Sequence, residues 1–279
     1  MKNRVIIFLG SLFIASSFLS SCSSDDNKSQ VPTTSVVTSK QYTDIESANK
    51  NINTIVEDVF TAESRTRKSS DTNHQLPDCV KITSEITDQN KTVTIDFGDK
   101  CKLSNGEVIS GSIRMSFDIK VDTESEIKIS YDLDKVVYKD ITVSGTATKI
   151  FSFKNDTGNT KFTTNSNFSF AWEDKLTATS KTNFITESFL EKNTTDTPEE
   201  IKYYKLTTGN SETKFSNGDQ YSTEITTPLR NETNCLYIVS GVIVTKKNKD
   251  TITLNYGDGK CDAIATQTDA DGKETTIEL

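Results

Sequence analysis

Four cysteines are spaced as two pairs, and paired thiols can oxidise to a disulfide or share a zinc ion. The pairs are Cys79 with Cys101 and Cys235 with Cys261. Each pair ends a copy of one motif, TVTIDFGDKC at 92–101 and TITLNYGDGKC at 251–261. Zinc sites favour the short spacing C-x2-4-C, which neither pair has. We therefore expect two disulfides, with a zinc site made of the four cysteines as the alternative.

The second pair fits the geometry of a β-hairpin. Facing residues of an antiparallel hairpin have numbers with a constant sum, so Cys235 opposite Cys261 centres the hairpin at Asn248. Lysine and aspartate residues surround that centre, as in a turn. The same register places Val242 opposite Leu254, so that an apolar residue faces an apolar residue.

The first pair fits the same geometry only with an irregularity. The apolar residues of its two arms have opposite parity, and a slip of one residue turns every side chain to the other face. We predict a bulge or loop at 98–100 that lets Ile86 face Ile95 while Cys101 reaches Cys79. Each disulfide would close a loop of about 22 to 27 residues and contribute roughly 3 kcal/mol to stability.

A fifth cysteine, Cys22, follows a segment with the layout of a secretory signal. Lys2 and Arg4 supply the positive start, and the apolar run at 5–18 is too short for a transmembrane helix. The sequence LSSC at 19–22 resembles the lipobox of bacterial lipoproteins. This resemblance implies a diacylglycerol on the Cys22 thiol and cleavage before Cys22. The alternative is an ordinary signal with Cys22 in a disulfide, but the other four cysteines can already pair among themselves.

The expected lipid would attach the protein to a membrane without spanning it. Each buried methylene of an acyl chain contributes ~0.8 kcal/mol, so several chains on Cys22 would anchor the protein firmly. The sequence SSDD at 23–26 resembles the surface-export signal of Bacteroidota lipoproteins, which implies an outer-membrane protein at the cell surface. The alternative is a solvated polar tether. Because a net charge of −8 repels phosphate backbones, nucleic acid is not an expected partner.

Composition and periodicity divide the chain into four segments. These are a signal peptide at 1–21, a flexible tether at 22–40, a helix with a polar linker at 41–74, and a β domain at 75–279. In the helix, expected at 41–62, apolar residues from Ile45 to Val59 recur at helical spacing. Thr43 and Glu46 have the spacing of a capping box at its start.

After the linker the apolar period changes to two, which is typical of strands with one buried face. Alternation is clear at 113–121 and 127–133, and further strands are expected around 140–153, 161–172, 175–189, 200–208, 220–227, 235–245, 251–256, 263–267 and 275–279. Polar turn sequences separate them, including one at 208–210. Short turns without helices require antiparallel strands. We predict an all-β fold: a large antiparallel sheet, either a sandwich or a partly open barrel, with one N-terminal amphipathic helix.

The cysteine motifs resemble an uncharacterised family of exported, β-rich lipoproteins of the Bacteroidota. The likeness lies in NCLYIVSG at 234–241 and NYGDGKCDA at 255–263, and in the earlier Cys79, IDFG, Cys101 and SG at 110–111. It covers most of the chain after residue 75. The resemblance implies an exported lipoprotein with a β-rich fold, and it carries no activity over to this chain.

The residue types needed for catalysis are scarce. A Ser-His-Asp triad needs histidine as its base, and the one histidine, His74, lies in a polar linker. Trp172 beside Glu173 and Asp174 has the aromatic and acidic character of a sugar site, but Trp172 also ends an alternating apolar face, which favours core packing. The acidic loop at 269–274 lacks the later ligands of an EF-hand and is predicted to be a turn. We predict no catalytic residues, no cofactor and no metal.

Three functions are consistent with these observations. The favoured one is a structural or binding role in the cell envelope, with a ligand or partner that the sequence does not name. The second is a carrier in which the helix, through Ile52, Ile55 and Val59, plugs a half-barrel around an apolar ligand. The third is a carbohydrate-binding or glycosidase module. A filled interior would favour the structural or binding role. A continuous apolar cavity under the helix would favour the carrier, and an exposed aromatic groove with convergent carboxylates would favour the carbohydrate-binding or glycosidase module.

Overall fold

The computed structural model describes residues 39–64, 76–87, 90–103, 105–118, 126–153, 159–192 and 201–279. The signal segment, Cys22 and His74 lie outside these residues. One helix, α1, spans Ser39–Ser64. The strands are β1 Lys81–Ile86, β2 Asn90–Asp96, β3 Cys101–Lys102, β4 Val108–Asp118, β5 Glu126–Tyr138, β6 Ile141–Ser152, β7 Thr160–Ala171, β8 Thr177–Lys192, β9 Ile201–Phe215, β10 Gln220–Glu232, β11 Ile238–Lys247, β12 Asp250–Asp258, β13 Ile264–Thr268 and β14 Glu274–Glu278.

All the strands belong to one antiparallel sheet whose order nearly follows the chain. From β4 to β14 each strand pairs with the next, β1 pairs with β2, and β2 and the short β3 both pair with β4. The strands β1 and β14 are the two margins of the sheet and do not pair with each other. The predicted all-β architecture is confirmed, and it is one open sheet with an N-terminal helix.

Strand periodicity decides which side of the sheet faces α1. We call the face that α1 covers the inner face. In β5, Ile129 and Tyr131 are buried on that face, whereas Lys128 and Asp132, on either side of this pair, are exposed. A fully buried side chain of this size contributes about 1.5–3 kcal/mol, so repetition over many strands stabilises the helix-on-sheet arrangement.

Helix α1 lies diagonally across the inner face. Near its start Tyr42 stacks on Tyr221 at the beginning of β10, with ring centroids 4.2 Å apart. Near its end Phe60 meets Phe117 of β4 at 5.2 Å and Phe162 of β7 at 6.5 Å. We call the end of the sheet that holds the start of α1 the proximal end, and the opposite end the distal end.

The buried residues form two clusters of unequal size. The main core lies between α1 and the strands from β2 to β10. A smaller cluster, which includes no residue of α1, consists of Leu229, Leu254, Tyr256 and Ala265 with partly buried neighbours. The last strands of the sheet therefore have an apolar core of their own.

The hairpin predictions are confirmed in their turns and wrong in their registers. Lys247 pairs with Asp250 around a two-residue turn, so Leu254 faces Ile243 and not Val242. The chain does turn at Gly98, but Ile95 faces Ile82 and not Ile86. In both hairpins the turn is displaced from the midpoint between the two cysteines, because none of the four cysteines lies in the paired strands of the hairpin that it closes.

Two further local predictions are wrong. Helix α1 begins at Ser39, so Thr43 lies inside the helix and not at its N-cap. Gly209 was expected in a turn, but it lies within β9 opposite Phe184 of β8. Its φ of +133° is one that glycine adopts easily, and β10 shifts its register beside it, so Gly209 belongs to an irregular strand.

Candidate functional site

Two disulfides secure opposite ends of the sheet. Cys79 and Cys101 are joined at the proximal end, with their Cα atoms 5.4 Å apart, and Cys101 is buried in the main core. Cys235 and Cys261 are joined at the distal end, with their Cα atoms 5.7 Å apart. Both predicted pairings are present, and the sulfur atoms are therefore engaged with each other in pairs.

A charged network holds the proximal part of α1 against the sheet. The amine of Lys139 lies 2.8 Å from a carboxylate oxygen of Asp44 in α1 and 2.8 Å from one of Glu107. Burial opposes the charged amine, but the hydrogen bonds and the two carboxylates outweigh it and raise the pKa of Lys139. Beside this group Asn51 donates a hydrogen bond of 2.8 Å to the hydroxyl of Tyr138.

A second polar group lies between α1 and the strands β9 and β10. The hydroxyls of Tyr42 and Thr223 are 2.6 Å apart, and Ser211 donates to Glu46 over 3.5 Å. Burial raises the pKa of the Glu46 carboxyl to about 7, and the hydrogen bonds from Ser211 and Tyr42 oppose that rise. The inner face is thus lined partly by hydroxyl groups, which form hydrogen bonds with polar residues of α1.

The third polar contact is an ion pair in the middle of the interface. Lys149 of β6 is completely buried and its amine contacts the Glu57 carboxylate of α1. Burial lowers the pKa of Lys149, and the Glu57 carboxylate opposes that effect. Around these polar groups Ile45, Ile52 and Val56 are fully buried. The helix therefore fills the inner face instead of roofing an apolar cavity.

Of the three residues that suggest a sugar site, Trp172, Glu173 and Asp174, only Trp172 lines an open depression, of about 350 Å³, at the proximal end. Trp172 lines it together with Lys40, Asp44, Lys139 and Asp140. Trp172 also stacks on Phe215, with ring centroids 6.1 Å apart, and is half-buried against the main core. Of the two acids beside it, Asp174 accepts the backbone N–H of Leu176 and so closes its own turn. Core packing is the role that these contacts support.

Four large apolar side chains at the distal end of the sheet are exposed. These residues, which we call the distal patch, are Leu190, Tyr203, Leu236 and Ile264. Between 46% and 62% of each side chain is accessible. Contiguous exposed apolar surface marks an interaction site, whereas single exposed apolar residues are ordinary.

Covalent and hydrogen-bonded links connect the segments that carry the residues of the distal patch. Leu190 of β8 pairs directly with Tyr203 of β9. The backbone N–H of Thr233 donates to the Tyr203 carbonyl, which joins β9 to the loop that carries Leu236. The neighbouring Cys235 is bonded to Cys261, three residues before Ile264. The second disulfide therefore ties the loop that carries Leu236 to the segment that leads to Ile264.

The outer face stiffens the strands that carry the patch. Phe189 stacks on Tyr204 with ring centroids 5.1 Å apart and planes nearly parallel. The guanidinium of Arg230 lies 3.7 Å from the centroid of the same tyrosine ring, and its Nε donates to Glu232 over 3.0 Å. This stack runs across β8, β9 and β10 and limits the freedom of Leu190 and Tyr203.

Sequence reasoning located the cysteines but neither the distal patch nor the Lys149–Glu57 pair. Lys149 lies in an apolar register of β6, and that misplaced charge is the signal that a buried ion pair was needed. Within the described ranges no group of three or more His, Cys, Asp or Glu side chains is placed to hold a metal ion.

Comparison with family models, with curated proteins and with solved structures finds no match to this chain. In the part of the chain that the structure describes, no helix has the length and apolar character needed to cross a membrane.

Proposed function

We propose that this protein is a lipid-anchored lipoprotein of the cell envelope, held at the outer membrane through Cys22 and displayed at the cell surface. Its role is to bind another protein, and the distal patch is the docking surface. It acts as a structural or binding component and not as a catalyst.

The observation that carries this proposal is the position of the distal patch relative to α1. The chain that leads to Cys22 joins α1 at Ser39, at the proximal end of the sheet. Leu236 and Ile264 are exposed at the opposite end. An anchor at one end and an apolar surface at the other is the arrangement that a membrane-tethered binding protein needs.

The inner face supports a binding role over a carrier role. An apolar ligand needs a cavity, commonly 300–1,000 Å³ in volume and largely enclosed. Here Ile52 and Val56 of α1 are completely buried against the sheet, and Tyr42, Glu46 and Glu57 make polar contacts with it. A carrier would have to break those contacts to make room for its ligand.

The lipid anchor and the cell-surface location can both be tested in the native host. Metabolic labelling with a palmitate analogue should mark the wild-type protein and not Cys22→Ala. Protease added to intact cells should digest the protein; complete protection of intact cells, with digestion after lysis, would contradict the surface location.

The docking surface is tested by site-specific photo-crosslinking in intact cells. A photoreactive amino acid at Leu236 should give a crosslinked band of defined size, whereas the same group at Lys249, exposed at the proximal end, should not. Leu190→Ser with Tyr203→Ser should abolish the band. Equal crosslinking from both positions would show that the contacts are nonspecific and would remove the distal patch from the proposal.

A further inference from the structure

The margin strand β1 carries two exposed isoleucines that do not belong to the distal patch. Ile82 is 36% and Ile86 is 67% accessible, and every residue of β1 is exposed. Their partners in β2 are Ile95, which is buried on the inner face, and Lys91. The inner side of this margin is therefore apolar at two of its three positions.

The backbone of β1 has a hydrogen-bonding side that β2 does not use. The hairpin closes with the N–H of Thr87 donating to the Asn90 carbonyl at 2.9 Å. In an antiparallel ladder such bonded pairs alternate along the strand, so the odd-numbered residues of β1 direct their backbone groups to β2. Ile82, Ser84 and Ile86 direct theirs to the margin of the sheet.

We propose that β1 pairs antiparallel with β1 of a second copy of this chain, around a two-fold axis at Thr83. The pairing is self-complementary. On the outer face Lys81 of each copy lies opposite Glu85 of the other, and on the inner face Ile86 lies opposite Val80. Ile82 and Ser84 form bonded pairs, which use the outward backbone groups of β1 in both copies.

The other margin does not offer the same match. In β14 the N–H of Leu279 donates to Ala263, so by the same alternation Glu274 and Glu278 direct their backbone groups outward. Two copies of β14 would bring like charges together, which is unfavourable across strands. Pairing of β1 with β14 would place the β1 isoleucines opposite glutamates. Charge and polarity therefore favour the pairing of β1 with β1 over the other two pairings. This dimer is a property separate from the proposed docking function.

Charge reversal gives the sharpest test. In sedimentation of the full-length protein in detergent, the wild type should show a concentration-dependent dimer. Glu85→Lys alone, or Lys81→Glu alone, should raise the dimer dissociation constant about tenfold, because two attractive pairs become repulsive. The double variant K81E/E85K exchanges the two charges and should restore the wild-type constant. Glu278→Lys on β14 is the matched control and should leave the dimer unchanged.

Cysteine crosslinking tests the register. Thr83 faces Thr83 of the second copy at a pair whose Cα atoms are about 4.5 Å apart, which a disulfide can bridge. Thr83→Cys in host membranes should give a disulfide-linked dimer on a non-reducing gel, and Thr276→Cys on β14 should not. A monomer at all concentrations, a dimer indifferent to single charge reversals, or failure of K81E/E85K to restore it would each overturn the proposal.

Discussion

At the scale of single residues, the unusual feature is how many polar groups of α1 point into the sheet. Glu57 reaches the fully buried Lys149, and Asn49 donates to Ser180 at 3.3 Å. A buried charge is tolerated only when it is paired and hydrogen-bonded, and a well-packed apolar pair of the same size is often at least as stable. The polar pairs therefore determine where the helix sits more than they add to stability.

Removal of one member of the central ion pair should be costly. Glu57→Ala leaves the buried Lys149 amine without its carboxylate, and we expect a loss of about 3 kcal/mol in the free energy of unfolding, measured in urea. Replacement of both residues by methionine should recover most of that loss. Glu212→Ala, at an exposed position of β9, is the control and should change stability by less than about 0.5 kcal/mol.

Glu46 should make stability depend on pH in a known direction. Its folded pKa of about 7 lies above its ordinary value of 4.5, so the folded protein favours the protonated carboxyl. The resulting stabilisation is fully present below pH 4.5 and is lost as the pH rises through 7. Glu46→Gln should remove this component, so its stability relative to the wild type should increase between pH 5 and pH 8. Urea midpoints at both pH values measure the difference, and an unchanged difference would contradict the assignment.

At the scale of elements, the strands and the helix could be predicted because their signals are local. Periods of two and of about 3.6 residues are visible in the sequence, and β6, β7 and α1 lie close to their expected limits. Gly209 was misread because Thr-Gly-Asn is equally a turn sequence, and only the contact with β8 shows otherwise. The partner of Lys149 could not be predicted, because Glu57 is 92 residues away and no local pattern links them.

Substitution of Gly209 tests whether this residue lies within β9, closely packed against β8. A Cβ atom at this position would lie 2.0 Å from the backbone oxygen of Asn183 in β8, so Gly209→Ala has to push two strands apart. We expect a loss of about 3 kcal/mol in unfolding free energy. Gly218 is the control: it also has a positive φ, of +96°, but an added Cβ meets nothing within 4 Å. Gly218→Ala should therefore lose only about 1 kcal/mol, and equal losses would refute the packing argument.

At the scale of the whole molecule, two apolar clusters share one sheet. The main core includes α1, whereas the smaller cluster around Leu254 and Tyr256 belongs to the last strands, whose connecting segments the second disulfide joins. The distal patch could not be predicted from the sequence, because its residues are far apart along the chain. Leu236 and Ile264 are ordinary residues in the sequence, and only the disulfide and the sheet order place them at the same end of the sheet as Tyr203.

The two disulfides should therefore have different effects when they are removed. Replacement of Cys235 and Cys261 by alanine should accelerate amide hydrogen exchange in β12, β13 and the distal patch, and leave exchange in α1 unchanged. Replacement of Cys79 and Cys101 should accelerate exchange in β3 and in α1, because Cys101 is part of the main core. Mass spectrometry after exchange resolves these regions. Uniform acceleration in both variants would mean that the sheet opens as a single unit.

The diagonal course of α1 also dictates an order of assembly. Tyr42 bonds to Thr223, 181 residues later in the chain, and Glu46 to Ser211, 165 residues later. In the proposed location the chain is exported with its N-terminus first, so the helix would cross the membrane before the strands against which it packs. The hairpins can form one after another from local contacts, but the helix cannot complete its contacts with the sheet until β9 and β10 have formed. During that interval the apolar side of α1 is exposed, and if the proposed location is correct, α1 is the first element that a periplasmic chaperone would bind.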